Sequence, residues 1–227
     1  MTDVLLIHGA CHGAWCWDDV ASHLAASGHR PIAVELPCDD PTAGLADYAD
    51  AAVASLPPAF DDLIVVGHSL GALTAAVVAE RVKTRRLVFV AGIIGSPGMS
   101  LADLATVDTQ RDCHLGKEDL EFDDARLFRF SRVGAMRVLF HDCDPTRAER
   151  ALARLRFQRS LWNEVADFHD WRAEEIVSIV CNEDRVINPS WGRQVSKDRL
   201  GVEAIELVGG HSPWLSRPAE LARMLVE

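Results

Sequence analysis

Short apolar runs and amphipathic stretches alternate along the first 93 residues. Residues 4–7, 31–37, 63–66 and 86–93 are short and rich in β-branched side chains. Runs of that length and composition, apolar at successive positions, form strands buried on both faces of a sheet. The segments between them carry the helical period instead. Val20 and Leu24 continue one face from Trp17 until Gly28, and Leu45, Tyr48, Ala49, Ala52, Val53 and Leu56 form another until Pro57-Pro58. Strand and helix in turn predict an α/β fold with a mostly parallel sheet flanked by helices. The rhythm then breaks, because residues 95–172 hold no convincing buried strand. Asp144-Pro145 there opens a helix, and Phe122, Leu127, Phe128, Phe130, Met136, Leu139 and Phe140 crowd the stretch before it. Two further strands, at 175–180 and 202–208, and a C-terminal helix complete the pattern. The prediction is a single domain with a core of residues 1–94 and 173–227. A helical cap, residues 95–172, is inserted after the fourth strand, and its aromatic cluster can form a lid.

Chemistry enters after the third strand. Gly67-His68-Ser69-Leu70-Gly71 is a G-x-S-x-G sequence between a buried strand and the Ala-rich helical segment that starts at Leu73. This context turns the serine hydroxyl outward on a sharp, strained bend and aims a helix N-terminus at the reaction centre. Serine is a weak nucleophile until a base takes its proton, and the base needs a carboxylate to fix its tautomer. Asp184 follows the fifth strand and His211 follows the sixth, and parallel sheets bind ligands at these strand ends. Gly209-Gly210 gives His211 backbone freedom. Glu183 competes with Asp184 and is expected to be solvated.

The turn after the first strand, His8-Gly9-Ala10-Cys11-His12-Gly13, lets backbone approach a ligand closely. Its histidines and cysteines lack the paired spacing of a zinc site, so no metal is expected. Two N–H donors for an oxyanion are expected from Ala10 and from Leu70. His12 could contact a substrate, and a structural hydrogen bond is the preferred reading. Candidate substrate contacts are His68, Phe128, Met136 and Phe140.

Net charge narrows the range of partners. With 23 Lys plus Arg against 34 Asp plus Glu the chain carries −11, which disfavours nucleic acid and anionic membranes. No run is long enough to span a bilayer, and no signal peptide is recognisable before Val4. Six scattered cysteines then read as reduced thiols in a cytoplasm, none of them bridged or catalytic.

The run Leu6-Ile7-His8-Gly9-Ala10-Cys11-His12-Gly13-Ala14-Trp15-Cys16-Trp17, with Gly67-His68-Ser69-Leu70-Gly71, resembles the plant methylesterase and hydroxynitrile lyase group of the α/β-hydrolase superfamily, the salicylate-binding esterase included. Phe140-His141-Asp142-Cys143, Ala153-Arg154-Leu155-Arg156 and Gly209-Gly210-His211-Ser212-Pro213 look most like small bacterial members of that type. The resemblance implies an α/β-hydrolase fold with six strands in the order 2-1-3-4-5-6. It also implies a Ser69, Asp184, His211 triad, no cofactor, and a helical cap over an apolar pocket. A small-molecule ester is the implied substrate, and a homodimer stays open. The related lyases carry threonine at the position of Ala10 and lysine after the catalytic histidine, where Ser212 stands here. That difference favours ester hydrolysis over cyanide elimination. A binding protein with a slow triad is the reading from another class.

Overall fold

The computed structural model describes residues 1–108 and 115–227. Six strands make the central sheet: β1 Asp3–Ile7, β2 Arg30–Ala33, β3 Leu63–His68, β4 Arg86–Val90, β5 Glu175–Cys181 and β6 Ile205–Leu207. Every neighbouring pair is parallel, in the order β2-β1-β3-β4-β5-β6. β1, β3 and β4 are buried along their whole length, as their unbroken apolar runs require. Three strands are shorter than their sequence runs, among them β2, which ends at Ala33 and lies half-buried at the sheet edge rather than buried on both faces. β4 ends at Val90 because Ala91 turns to φ +44° and leaves the sheet. β6 covers only residues 205–207, at the sheet edge.

Helices α1 Asp18–Ala26, α2 Leu45–Ala54 and α3 Gly71–Arg81 connect the first four strands. From β1 the chain moves outward to β2, then back across β1 to β3 and on to β4. Right-handed crossovers therefore put α1 on one face and α2 with α3 on the other. Accordingly α1 packs on the C-terminal helix Pro218–Val226 and α2 on α3. α3 is buried from Gly71 to Ala79, and its small residues let it lie close to the sheet.

The segment between β4 and β5 is less helical than its pattern suggests. It contains helix Leu101–Val107, closed by a reciprocal Ser100–Asp103 cap, and helix Pro145–Leu152, capped by Asp144 through the Arg147 N–H at 3.0 Å. Between them an antiparallel hairpin pairs Leu120–Phe122 with Phe128–Phe130, in a sheet of its own. A single helical turn, Arg132–Gly134, then runs into a π-helix, Ala135–Leu139. Among the described residues, no helix is long and apolar enough to cross a membrane.

Candidate active site

The bend between β3 and α3 is held by steric exclusion. A Cβ on Gly67 would stand 2.7 Å from Ala72 Cα, and one on Gly71 would overlap the His8 carbonyl. Glycine at both places lets the sharp turn close against the first loop. Ser69, at the apex, sits at φ +52°, a conformation that costs a non-glycine residue about 1–3 kcal/mol. Its N–H donates to Val90 C=O at 3.0 Å, and its C=O accepts from Ala72 and Ile93 at 3.1 and 3.0 Å. These bonds fix the strained residue to β4 and to the start of α3.

Ser69, Asp184 and His211 come together from three strand ends. Asp184 is buried, and its Oδ1 accepts from the Val186 and Ile187 N–H groups at 2.7 and 2.9 Å. Its Oδ2 lies 2.7 Å from His211 Nδ1. An ionised carboxylate only accepts, so Nδ1 carries the proton and the Nε2 lone pair faces outward. Ser69 Oγ–H donates to that nitrogen at 3.0 Å. Glu183, beside Asp184 in sequence, is exposed.

Ala10 and Leu70 line the same cavity as Ser69 and His211. Neither N–H makes a hydrogen bond among the described residues, which leaves both available to a ligand. Gly9 keeps this loop close to the serine, since a Cβ there would stand 2.9 Å from Ser69 Cβ.

The loop histidines make hydrogen bonds within their own surroundings, and His12 also lines the cavity. His8 Nδ1–H donates to Gly9 C=O at 2.9 Å while its Nε2 accepts from Leu36 N–H at 3.2 Å, tying the loop to the end of the β2 segment. His12 Nδ1–H donates to Ala10 C=O at 2.6 Å. Burial pushes His8 down to about 4 and His12 to about 3, so both are neutral at pH 7. His68 faces the cavity, yet its Nε2–H donates to the His211 carbonyl at 2.8 Å and its ring lies 4.9 Å from the His211 ring. Burial lowers its pKa well below the usual histidine value. A neutral His68 matters here, because a second imidazolium would oppose charge on His211. Among the described residues no group of three or more His, Cys, Asp or Glu is placed to hold a metal ion.

The cavity above Ser69 measures about 290 Å³. Its walls include Ile93 and Leu101, Phe128 and Phe130 from the hairpin, Trp162, and Ile187 beside the acid loop. Among the described residues, no Asp, Glu, Lys or Arg lines it. Of the four expected substrate contacts, His68 and Phe128 line it, whereas Met136 and Phe140 do not. Phe140 is buried instead, its ring edge-on to Trp214 at 6.2 Å. The π-helix explains this placement. Met136 and Phe140 share a face in an α-helix, but the Phe140 N–H bonds to Ala135 C=O, five residues back, and the wider turn brings Leu139 to the cavity. Trp162, Ile187 and the hairpin escaped the sequence reading. The alternation Leu120-x-Phe122 and Phe128-x-Phe130 around an Asp-Asp turn is the signal that reveals the hairpin.

Cys11, Cys16, Cys38 and Cys181 are buried, Cys143 is half-buried, and all five are free thiols. Cys113 lies outside the described residues. Burial raises all five, Cys38 to about 11, so none forms a thiolate readily at neutral pH. We expect these five to react slowly with an aromatic disulfide reagent in the native protein. Denatured without reductant, the chain should titrate six thiols, and a shortfall of two would reveal a bridge.

The Alpha/beta hydrolase family model matches residues 4–224, and the chain belongs to that family. Within it the chain falls in the methylesterase group, whose members are hydrolases of carboxylesterase type. Methylesterase 7 of Arabidopsis thaliana is 30% identical over 251 residues, covering 98% of this chain and 94% of the relative. Methyl jasmonate esterase 1 of Vitis vinifera is 27% identical, covering 98% and 95%. Among solved structures, a pyrethroid hydrolase from Sphingobium faniae superposes with a TM-score of 0.82 at 22% identity, over 99% of this chain and 95% of that one. A polyneuridine aldehyde esterase mutant superposes with a TM-score of 0.82 at 20% identity, over 99% and 98%. At these identities the structural likeness is one of fold.

Proposed function

We propose that this chain is a serine carboxylesterase for small, uncharged esters with an apolar acyl or alcohol part. The observation that carries the reading is the chain of bonds from Ser69 Oγ through His211 to Asp184 at the floor of a cavity whose described walls are mostly apolar and hold no Asp, Glu, Lys or Arg. Ser69 Oγ attacks the ester carbonyl as His211 Nε2 takes its proton. Asp184 holds His211 in the correct tautomer and stabilises the imidazolium. The Ala10 and Leu70 N–H groups receive the oxyanion. His211 returns the proton to the departing alkoxide, which leaves an acyl group on Ser69. Water, deprotonated by His211, then attacks the acyl carbonyl and releases the acid with Ser69 restored. The segment 95–172 acts as the cap over this cavity, and the chain works in the cytoplasm as a small-molecule enzyme.

The same cavity weighs against cyanide elimination. Released cyanide is an anion, no lysine or arginine among the described residues lines the cavity, and Ser212 is buried. A desolvated anion without a partner is costly. The test offers one preparation a panel of methyl and aryl esters of graded acyl size, half-esters with a free carboxylate, and mandelonitrile. Neutral apolar esters should turn over fastest and half-esters at least about tenfold more slowly, the penalty for desolvating a charge. Cyanide release at a rate comparable with the best ester, or tight binding of esters without turnover, would overturn the reading.

A further inference from the structure

Two neighbouring residues of the segment between β4 and β5 rest on both loops that carry the proposed acid and base. His141 Nε2–H donates to the Glu183 carbonyl at 3.1 Å, one residue before Asp184. Asp142 Oδ2 accepts from the Gly210 N–H at 2.8 Å, one residue before His211. Steric fit points the same way. A Cβ on Gly209 would stand 2.8 Å from Asp142 Oδ2, and one on Gly210 would stand 2.7 Å from Oδ1 and 2.5 Å from His141 Nε2. Gly209-Gly210 thus lacks side chains where His141-Asp142 lies against it. Gly209 also sits at φ +125°, which other residues rarely adopt.

Two adjacent glycines make a loose tether for a base that must stay 3.0 Å from Ser69 Oγ. On the sheet side the loop is held by the Glu183 N–H to Gly209 C=O bond at 2.9 Å and by the His68 bond to His211 C=O. On the opposite side the restraint is the Asp142 carboxylate. Arg217 lies along the same edge of Gly209, and the Cys143 thiol donates to Asp142 Oδ1 at 3.7 Å, so the carboxylate is itself oriented. We propose that Asp142 is a positioning residue for His211, which couples the seating of the cap to the geometry of the base. This inference rests on the triad reading above.

The experiment compares Asp142→Ala, Asp142→Asn and Asp144→Ala. It measures kcat and KM on a chromogenic ester, the rate of Ser69 phosphonylation, and the proton resonance of His211 Nδ1–H. Asp142→Ala should lower kcat and the phosphonylation rate on the order of 10- to 100-fold, as a small misplacement of a reacting group does. Its KM should stay within about threefold, because the cavity wall is untouched. The Nδ1–H resonance should broaden. Asp142→Asn keeps an acceptor for the Gly210 N–H and should recover most of the loss. Asp144→Ala loosens only the helix Pro145–Leu152 and should lower Tm without lowering kcat. Wild-type kcat and a sharp Nδ1–H signal in Asp142→Ala would overturn the proposal, and so would equal kcat losses in Asp142→Ala and Asp144→Ala. If Asp142→Ala does not fold, Gly210→Ala presses on the same contact from the other side, and an unchanged kcat there is equally fatal. Should the wild type prove inactive, the resonance still decides: broadening in Asp142→Ala upholds the positioning role while the esterase reading fails.

Discussion

Replacing Ser69 with alanine should lower ester turnover by roughly a million-fold while leaving the fold intact, the scale seen when a triad nucleophile is removed. In the proposed mechanism the side chain that is lost carries the attacking oxygen. His211 Nε2 would face a methyl group 142 residues away in sequence, and the Ala10 and Leu70 N–H groups would have no tetrahedral oxygen to receive. Alanine tolerates φ +52° about as well as serine does, so the bend should persist. A phosphonofluoridate probe followed by intact-mass and peptide analysis reads the same chemistry without a substrate. One adduct on Ser69 is expected in the wild type and none in the variant. Undiminished turnover in Ser69→Ala, or labelling at another residue, would remove the triad from the mechanism.

Acid should destabilise the fold steeply, beginning well above the carboxylate range. His8 and His12 are held neutral by burial, at about 4 and about 3, against 6.5 in an unfolded chain. Below pH 6.5 the unfolded state therefore binds protons that the native state refuses, so stability falls as pH falls. The contribution is complete above 6.5 and disappears down to about 4 for His8 and about 3 for His12. Between pH 7 and pH 5 each should lose about 2 kcal/mol, or about 4 kcal/mol together. His68 shifts in the same direction and adds to the loss. Against a total stability of about 5–15 kcal/mol this brings unfolding within reach near pH 5. Urea denaturation at pH 7 and pH 5 measures it, and equal midpoints at the two pH values would mean that these rings are already protonated or solvated.

The parts of this molecule that local chemistry dictates were readable from the chain. β1, β3 and β4 are unbroken apolar runs, so their burial on both faces follows from composition, and the sheet order 2-1-3-4-5-6 that the resemblance implied is the order found. Gly67 and Gly71 announce a bend too tight for a Cβ. Long-range seating was less legible. Met136 and Phe140 are four residues apart and share a face only if the helix keeps its α period; the π turn at Ala135–Leu139 rotates that face, and Leu139 reaches the cavity instead. Asp142 gives no local sign that it will meet Gly210, 68 residues on, because that contact exists only after the segment folds back over the sheet. His68 lines the cavity, as a contact beside Ser69 would, and its Nε2–H also reaches the His211 carbonyl, a bond that closes only when the two distant loops meet.

The lining that the described residues give the cavity, without Asp, Glu, Lys or Arg, has a consequence for traffic through it. A neutral ester gains by leaving water for walls such as Ile93, Phe128 and Trp162. The acid made by its cleavage ionises at neutral pH, and among the described walls its carboxylate meets no guanidinium or ammonium. Solvation therefore pulls the two in opposite directions, with the uncleaved molecule drawn inward and the cleaved one drawn out. Accumulating acid should compete poorly for the chamber, so inhibition by product should stay weak even after most of the substrate has been converted.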